Sequence, residues 1–149
     1  SFYLRENSER PILMVGGGTG FGPIKAMVEH ANYVGLTQPI HIFMGVRALR
    51  DLYMDDMVKG WLTTNKNISF SPVLSQPMAE DKWQGETGYV HEAVGREFAD
   101  LSAFDIYLCG PPPMINSAVE LFIKQGADKD HMFSDAFEYS VDARKALEG

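Results

Sequence analysis

Two turns carry the chemistry that can be read from this sequence. The first is Pro11-Ile-Leu-Met-Val-Gly-Gly-Gly-Thr-Gly-Phe-Gly-Pro23, a short apolar run that ends in glycines and a threonine and opens into a helix-like stretch. A strand, a tight turn and a helix N-terminus in series aim backbone N–H groups outward and add the positive end of a helix dipole, which suits phosphate. Five glycines lie between positions 16 and 22. Gly16, Gly17 and Gly18 can take positive φ, and without Cβ atoms they let a ligand approach the backbone. Thr19 has a hydroxyl to donate to a phosphate oxygen, and Pro23 suits a first helical turn, where its missing N–H costs nothing. The segment fits neither G-x-G-x-x-G in any register nor a Walker A loop, because no Gly-Lys-Ser/Thr follows. A tight turn that binds nothing is the competing reading.

The second turn, Asp105-Ile-Tyr-Leu-Cys-Gly-Pro-Pro-Pro-Met114, repeats the plan. Gly110 permits a sharp bend after an apolar strand, and Pro111, Pro112 and Pro113 stiffen the loop by fixing φ. A rigid loop there is a good wall for a flat ring. Two such turns in one small domain suggest a dinucleotide held between them. Cys109 alone reads as a small buried hydrophobe, the usual fate of a lone cysteine. No histidine sits where it would serve as base to a cysteine nucleophile. His30, His41, His91 and His131 have no metal-ligand spacing among them or with Cys109, so no metal is expected in this chain.

The elements that must position these turns alternate in kind. Ile12–Val15, Ile40–Val46, Ile68–Leu74, Ile106–Cys109 and Met132–Ser134 read as strands. Phe21–Val34, Leu49–Leu62, Tyr89–Phe98 and Met114–Lys124 show helical spacing of apolar residues. Ser75–Glu86 is polar, carries Pro77 and reads as a loop. Alternating strands and helices predict an α/β fold: a three-layer, doubly wound domain with a five-stranded parallel sheet covered on both faces.

The chain has 149 residues, enough for one domain with a full core, and a net charge of −7. No basic stretch marks a nucleic-acid or membrane partner. The single cysteine forbids an internal disulfide and fits a reducing, cytoplasmic setting. No apolar run is long enough to span a bilayer.

Five segments, in order, resemble one family: GGGTGFGP, Gly45-Val-Arg-Ala-Leu-Arg-Asp-Leu-Tyr53, Trp83-Gln-Gly-Glu-Thr-Gly-Tyr-Val-His91, Tyr107-Leu-Cys-Gly-Pro-Pro-Pro-Met114 and Phe133-Ser-Asp-Ala-Phe137. The chain is similar to the NAD(P)H-binding domain of the ferredoxin–NADP reductase superfamily. Within it the likeness is to reductase components of bacterial oxygenases and to CDP-6-deoxyglucoseen reductases.

The resemblance implies strand order 3-2-1-4-5 and hydride transfer from NADH or NADPH to FAD, with electrons passed through a [2Fe–2S] centre to an oxygenase or similar acceptor. FAD and the cluster would belong to other domains of a longer protein. Residues 1–10 would be the end of, or connector from, the FAD-binding barrel; residues 11–139 the nucleotide domain; and residues 140–149 a C-terminal tail. Gly17, Gly18, Thr19 and Gly20 would line the pyrophosphate and nicotinamide approach. Cys109, Gly110, Pro111 and Pro112 would flank the nicotinamide, with Cys109 near its reactive carbon. Asp135 and Phe137 would lie at the flavin contact, and Arg47 on the adenosine side, with Tyr53 nearby. Arg47 and Arg50 could pair with a 2′-phosphate, whereas the oxygenase likeness favours NADH. A non-catalytic nucleotide-binding module is the rival class, and a flavodoxin-like FMN domain is a third.

Overall fold

A computed structural model describes residues 2–18, 20–52 and 55–135. Strand β1 (Ile12–Gly17) is buried along its whole length and is paired on both sides, in parallel, with β2 (Ile40–Val46) and β5 (Asp105–Cys109). An apolar run without alternation is what a strand covered on both faces requires. Beyond β2 lie β3 (Ile68–Leu74) and β4 (Glu86–Thr87); beyond β5 lies β6 (Met132–Ser134). The sheet order is β4-β3-β2-β1-β5-β6, and every pairing is parallel.

The sheet therefore has six strands rather than the five expected. The addition is β4, two exposed residues that pair with Val73 and Leu74 at the edge of the segment read as a loop. Two polar residues give no periodic signal, so only the neighbouring strand defines them. With β4 set aside, the order is the expected one. The helix expected over Leu49–Leu62 is divided into a 3₁₀ turn at Leu49–Asp51 and α2 (Asp55–Thr64).

The period of two along the strands divides the core. Ile12, Met14, Ile40, Ile42, Tyr107 and Cys109 pack against α1 (Phe21–Val34) and α2 through Ile24, Met27, Val28, Val58 and Trp61. Leu13, Val15, Phe43, Ile106 and Leu108 pack against α3 (Val90–Glu97) and α4 (Pro112–Lys124) through Val94, Ile115, Val119 and Phe122. Each face thus has its own helical layer.

The segment before β1 is fastened at two places. The Arg5 N–H donates to Tyr107 Oη at 2.8 Å, and Leu4 is buried. Arg10 Nε lies 3.2 Å from the buried Asp105 carboxylate, which also meets His131 Nδ1 at 2.7 Å. Among the described residues, no helix is long and apolar enough to cross a membrane.

Candidate functional site

The chain runs outward from β1 to β4 on one side of the sheet, then returns to place β5 on the other side of β1. Diverging connections leave a crevice at the C-terminal ends of β1 and β5, the switch point where open α/β sheets bind ligands. Register brings the two sequence signals together there, since Gly16 pairs with Cys109. A cavity of about 500 Å³ opens at this edge, walled by Gly17, Gly18, Arg47, Asp51, Tyr89, Pro111 and Met114 among others.

The glycine turn is built for close approach. Gly18 has φ +58°, the left-handed region that glycine enters without strain. The Gly20 N–H donates to Gly17 O at 2.9 Å and closes the turn. A Cβ on Gly20 would lie 2.8 Å from the carbonyl carbon of Cys109 and nearer still to its oxygen, so the two turns touch backbone to backbone. Gly20 is also the N-cap of α1 and offers no side chain to the helix's leading N–H groups, which leaves them for an anion.

The second turn differs. The N-cap of α4 is Pro111, followed by Pro112 and Pro113, so three donors are missing from that helix start. Anion affinity therefore belongs to α1, while the proline turn supplies a stiff apolar wall.

Of the residues singled out from the sequence, Gly17, Gly18, Arg47 and Pro111 line the cavity. Gly20 holds the turns together, and Gly110 abuts Gly17 O and Met114. Pro112 opens α4. Cys109 is fully buried on the α1 face of the sheet and is not part of the cavity wall. Burial, followed by the nearby Asp135 carboxylate, pushes its thiol far up from the usual range, so it stays protonated. That removes it as a nucleophile or base. Asp135 directly follows β6 and is half-buried. Thr19, Tyr53 and Phe137 fall outside the described residues.

Sequence reasoning missed Asp51, Tyr89 and Met114 as parts of the wall. Tyr89 is 66% exposed, with its ring stacked on His91 at 5.8 Å, and stands at the cavity's edge with its neighbour Val90. Its place in Gly-Tyr-Val was visible, but nothing local says that this loop faces the glycine turn. Arg47 is exposed and makes no ion pair among the described residues.

A larger hollow, about 730 Å³, lies between residues 2–7 and α1. Its histidine and glutamate are spent on each other, His30 Nε2 to Glu6 Oε2 at 2.6 Å. The switch-point crevice, with a helix start to which Gly20 gives no side-chain cap and a guanidinium that makes no ion pair among the described residues, is the better candidate.

The bare glycine cradle, the uncapped start of α1 and the Arg47 guanidinium fit a molecule with a pyrophosphate and flat rings. Fold and site define a dinucleotide-binding α/β domain. Residues 14–120 match the family described as the oxidoreductase NAD-binding domain, and the chain belongs to that family. It is 39% identical to Protein RfbI of Salmonella typhimurium, over 94% of this chain and 41% of that protein. It is equally identical to a CDP-6-deoxy-L-threo-D-glycero-4-hexulose-3-dehydrase reductase of Yersinia pestis, over 92% of this chain and 40% of that protein. A solved structure titled "Ferredoxin reductase in carbazole 1,9a-dioxygenase" superimposes with a TM-score of 0.77 at 28% identity, covering 92% of this chain and 40% of that one. The chain thus spans about two-fifths of the length of these relatives.

Proposed function

We propose that this chain is the nucleotide-binding half of a reductase that takes hydride from NADH to an FAD held by another domain of the full-length protein. Electrons then pass through a [2Fe–2S] centre to an oxygenase or similar acceptor. The carrying observation is the convergence of the glycine turn, the proline turn and Arg47 on one crevice. The flavin, when bound, supplies the exchange between two-electron and one-electron chemistry.

The chain's own part is positioning. The start of α1 and the Gly18 turn hold the pyrophosphate, and Arg47 and Tyr89 hold the adenosine side. Pro111 walls the nicotinamide. Cys109 lies behind the proline turn in the α1 layer, a small polarizable contact rather than a reactant, and Asp135 would stand near the flavin–nicotinamide contact. Replacement of Cys109 by serine is expected to slow hydride transfer more than it weakens binding, and a variant that lost only affinity would contradict that role. By the resemblance, Thr19 would contact the pyrophosphate and Phe137 would stack on the flavin.

NADH is preferred to NADPH. Asp51 shares the cavity wall with Arg47, and its carboxylate can accept from a ribose 2′-OH but repels a 2′-phosphate. Arg50, the other cation considered for that phosphate, is turned onto Met78 Sδ at 2.6 Å.

The similarity to the Yersinia pestis reductase favours a second reading, in which the acceptor is a deoxyhexulose dehydrase rather than an oxygenase. The same crevice serves both, because the acceptor docks elsewhere. A cytoplasmic location goes with either, supported by the lone cysteine.

The test is an NMR titration of the chain with NADH and with NADPH, carried to millimolar ligand. Amide shifts at Gly17, Gly18, Gly20, Tyr89 and Gly110, with NADH the tighter ligand, are expected. Silence with both ligands overturns the reading. Tighter NADPH overturns the argument from Asp51.

A further inference from the structure

A side chain from α4 fills the gap between the two turns. A Cβ on Gly17 would run into Met114 Sδ, and one on Gly110 would lie 2.9 Å from Met114 Cε and 3.2 Å from its Sδ. The missing Cβ atoms of these two glycines therefore make room for a thioether. Met114 is half-buried and shares the cavity wall with Gly17, Gly18 and Pro111. It is held firmly at its root: three prolines precede it, and the Ile115 N–H donates to Pro111 O at 3.1 Å. Its side chain, in contrast, is unbranched, with three rotatable bonds and a polarizable sulfur that packs well on aromatic rings.

We propose that Met114 is a positioning residue for the dinucleotide, its thioether forming the adjustable wall that sets how deeply the nicotinamide ring sits between the two turns. The proposal rests on the reading of this crevice as the NADH site. Depth matters because hydride transfer needs the reacting atoms within roughly 3–3.5 Å, and a misplacement of about 1 Å costs on the order of 10²-fold in rate. Alanine at position 114 leaves the gap unfilled and lets the ring sink. Leucine keeps the volume but branches beside Gly17.

The experiment uses the chain labelled with ¹³C at its eight methionine methyl groups, with Met114→Leu assigning the signal. NADH is titrated while methyl and amide spectra are followed together. The Met114 methyl is expected to shift with the same dissociation constant as the Gly18 amide. Met132, paired with Ile106 away from the turns, stays still. If the amides move and the Met114 methyl does not, the inference is overturned and the NADH reading stands. If neither moves, the NADH reading itself fails and takes the inference with it.

In the full-length protein, Met114→Ala is expected to lower kcat for NADH oxidation about tenfold or more while KM changes less than about threefold. Met114→Leu is expected to recover most of that loss. A raised KM with unchanged kcat would make Met114 ordinary binding surface and overturn the proposal.

Discussion

Gly20→Ala measures how tightly the two turns are pressed together. Gly20 has φ −68°, which alanine adopts freely, so backbone preference is not the obstacle. The obstacle is space. The new Cβ would lie 2.8 Å from the Cys109 carbonyl carbon, closer to its oxygen, and 3.0 Å from Gly17 O. These are backbone atoms with no rotamer to yield, and Cys109 is held in the ladder opposite Gly16. Carbon–carbon contacts settle at about 3.5–4.0 Å, so the turns must part by roughly 1 Å. Overpacking of this kind costs about 1–3 kcal/mol. At 2 kcal/mol, a domain of this size loses roughly 4–8 °C in Tm. The same parting widens the crevice and weakens NADH by about tenfold, equivalent to roughly 1.4 kcal/mol. Gly22→Ala, two residues on, is the control. Nothing lies within 4 Å of its Cβ position, and it sits in α1, so alanine should stabilise by up to about 1 kcal/mol. Thermal unfolding and NADH titration of both variants decide the matter. A Gly20→Ala protein with wild-type Tm and affinity would refute the contact between the turns, and equal losses in both variants would refute the spatial argument.

Asp105→Asn should cost about 2 kcal/mol, because it removes the buried charge that the half-buried Arg10 and His131 side chains meet. Urea unfolding reads the loss, and NADH affinity should not change, since Asp105 opens β5 at the end away from the crevice. Burial raises the folded thiol of Cys109 and pushes Tyr107 up to about 12. Both groups therefore contribute stability below their unfolded pKa values that is lost as pH rises above them. Stability should fall from about pH 9 with a slope approaching 1.4 kcal/mol per pH unit for each group. Cys109→Ala should flatten the first part of that slope, whereas a flat wild-type profile would contradict the burial. Asp51→Asn should narrow the preference for NADH by about tenfold, the worth of roughly 1.4 kcal/mol of phosphate repulsion. An unchanged ratio of dissociation constants would remove Asp51 from cofactor selection.

Much of this fold was legible because its signals are local. Ile12–Val15 is apolar without alternation, which is the mark of a strand covered on both faces, and the structure buries it completely. Helix α1 follows the spacing of Ile24, Met27, Val28 and Ala31, all buried. β4 was illegible because Glu86 and Thr87 are exposed and owe their conformation to pairing with Val73 and Leu74. At the site, Gly17, Gly18, Arg47 and Pro111 were found from the turns they belong to. Asp51, Tyr89 and Met114 were not: Asp51 and Met114 share crossovers with Arg47 and Pro111, but no local spacing says that they reach the crevice wall, and the same holds for Tyr89 ahead of α3.

The sequence by itself determined where the backbone must bend and what each bend can offer. Gly18, at φ +58°, and prolines at 111–113 act through sterics on their own φ, and that information travels with the chain. Tertiary structure alone decided which bends meet. The register that sets Gly16 opposite Cys109 also fixes the phase of β5, and a period of two then sends the Cys109 sulfur into the α1 layer, away from the cavity. The same adjacency brings Gly17 and Gly110 to either side of Met114, whose thioether occupies the space their absent side chains leave. No local pattern encodes such a meeting, because it follows from burying two apolar faces of one sheet at the same time.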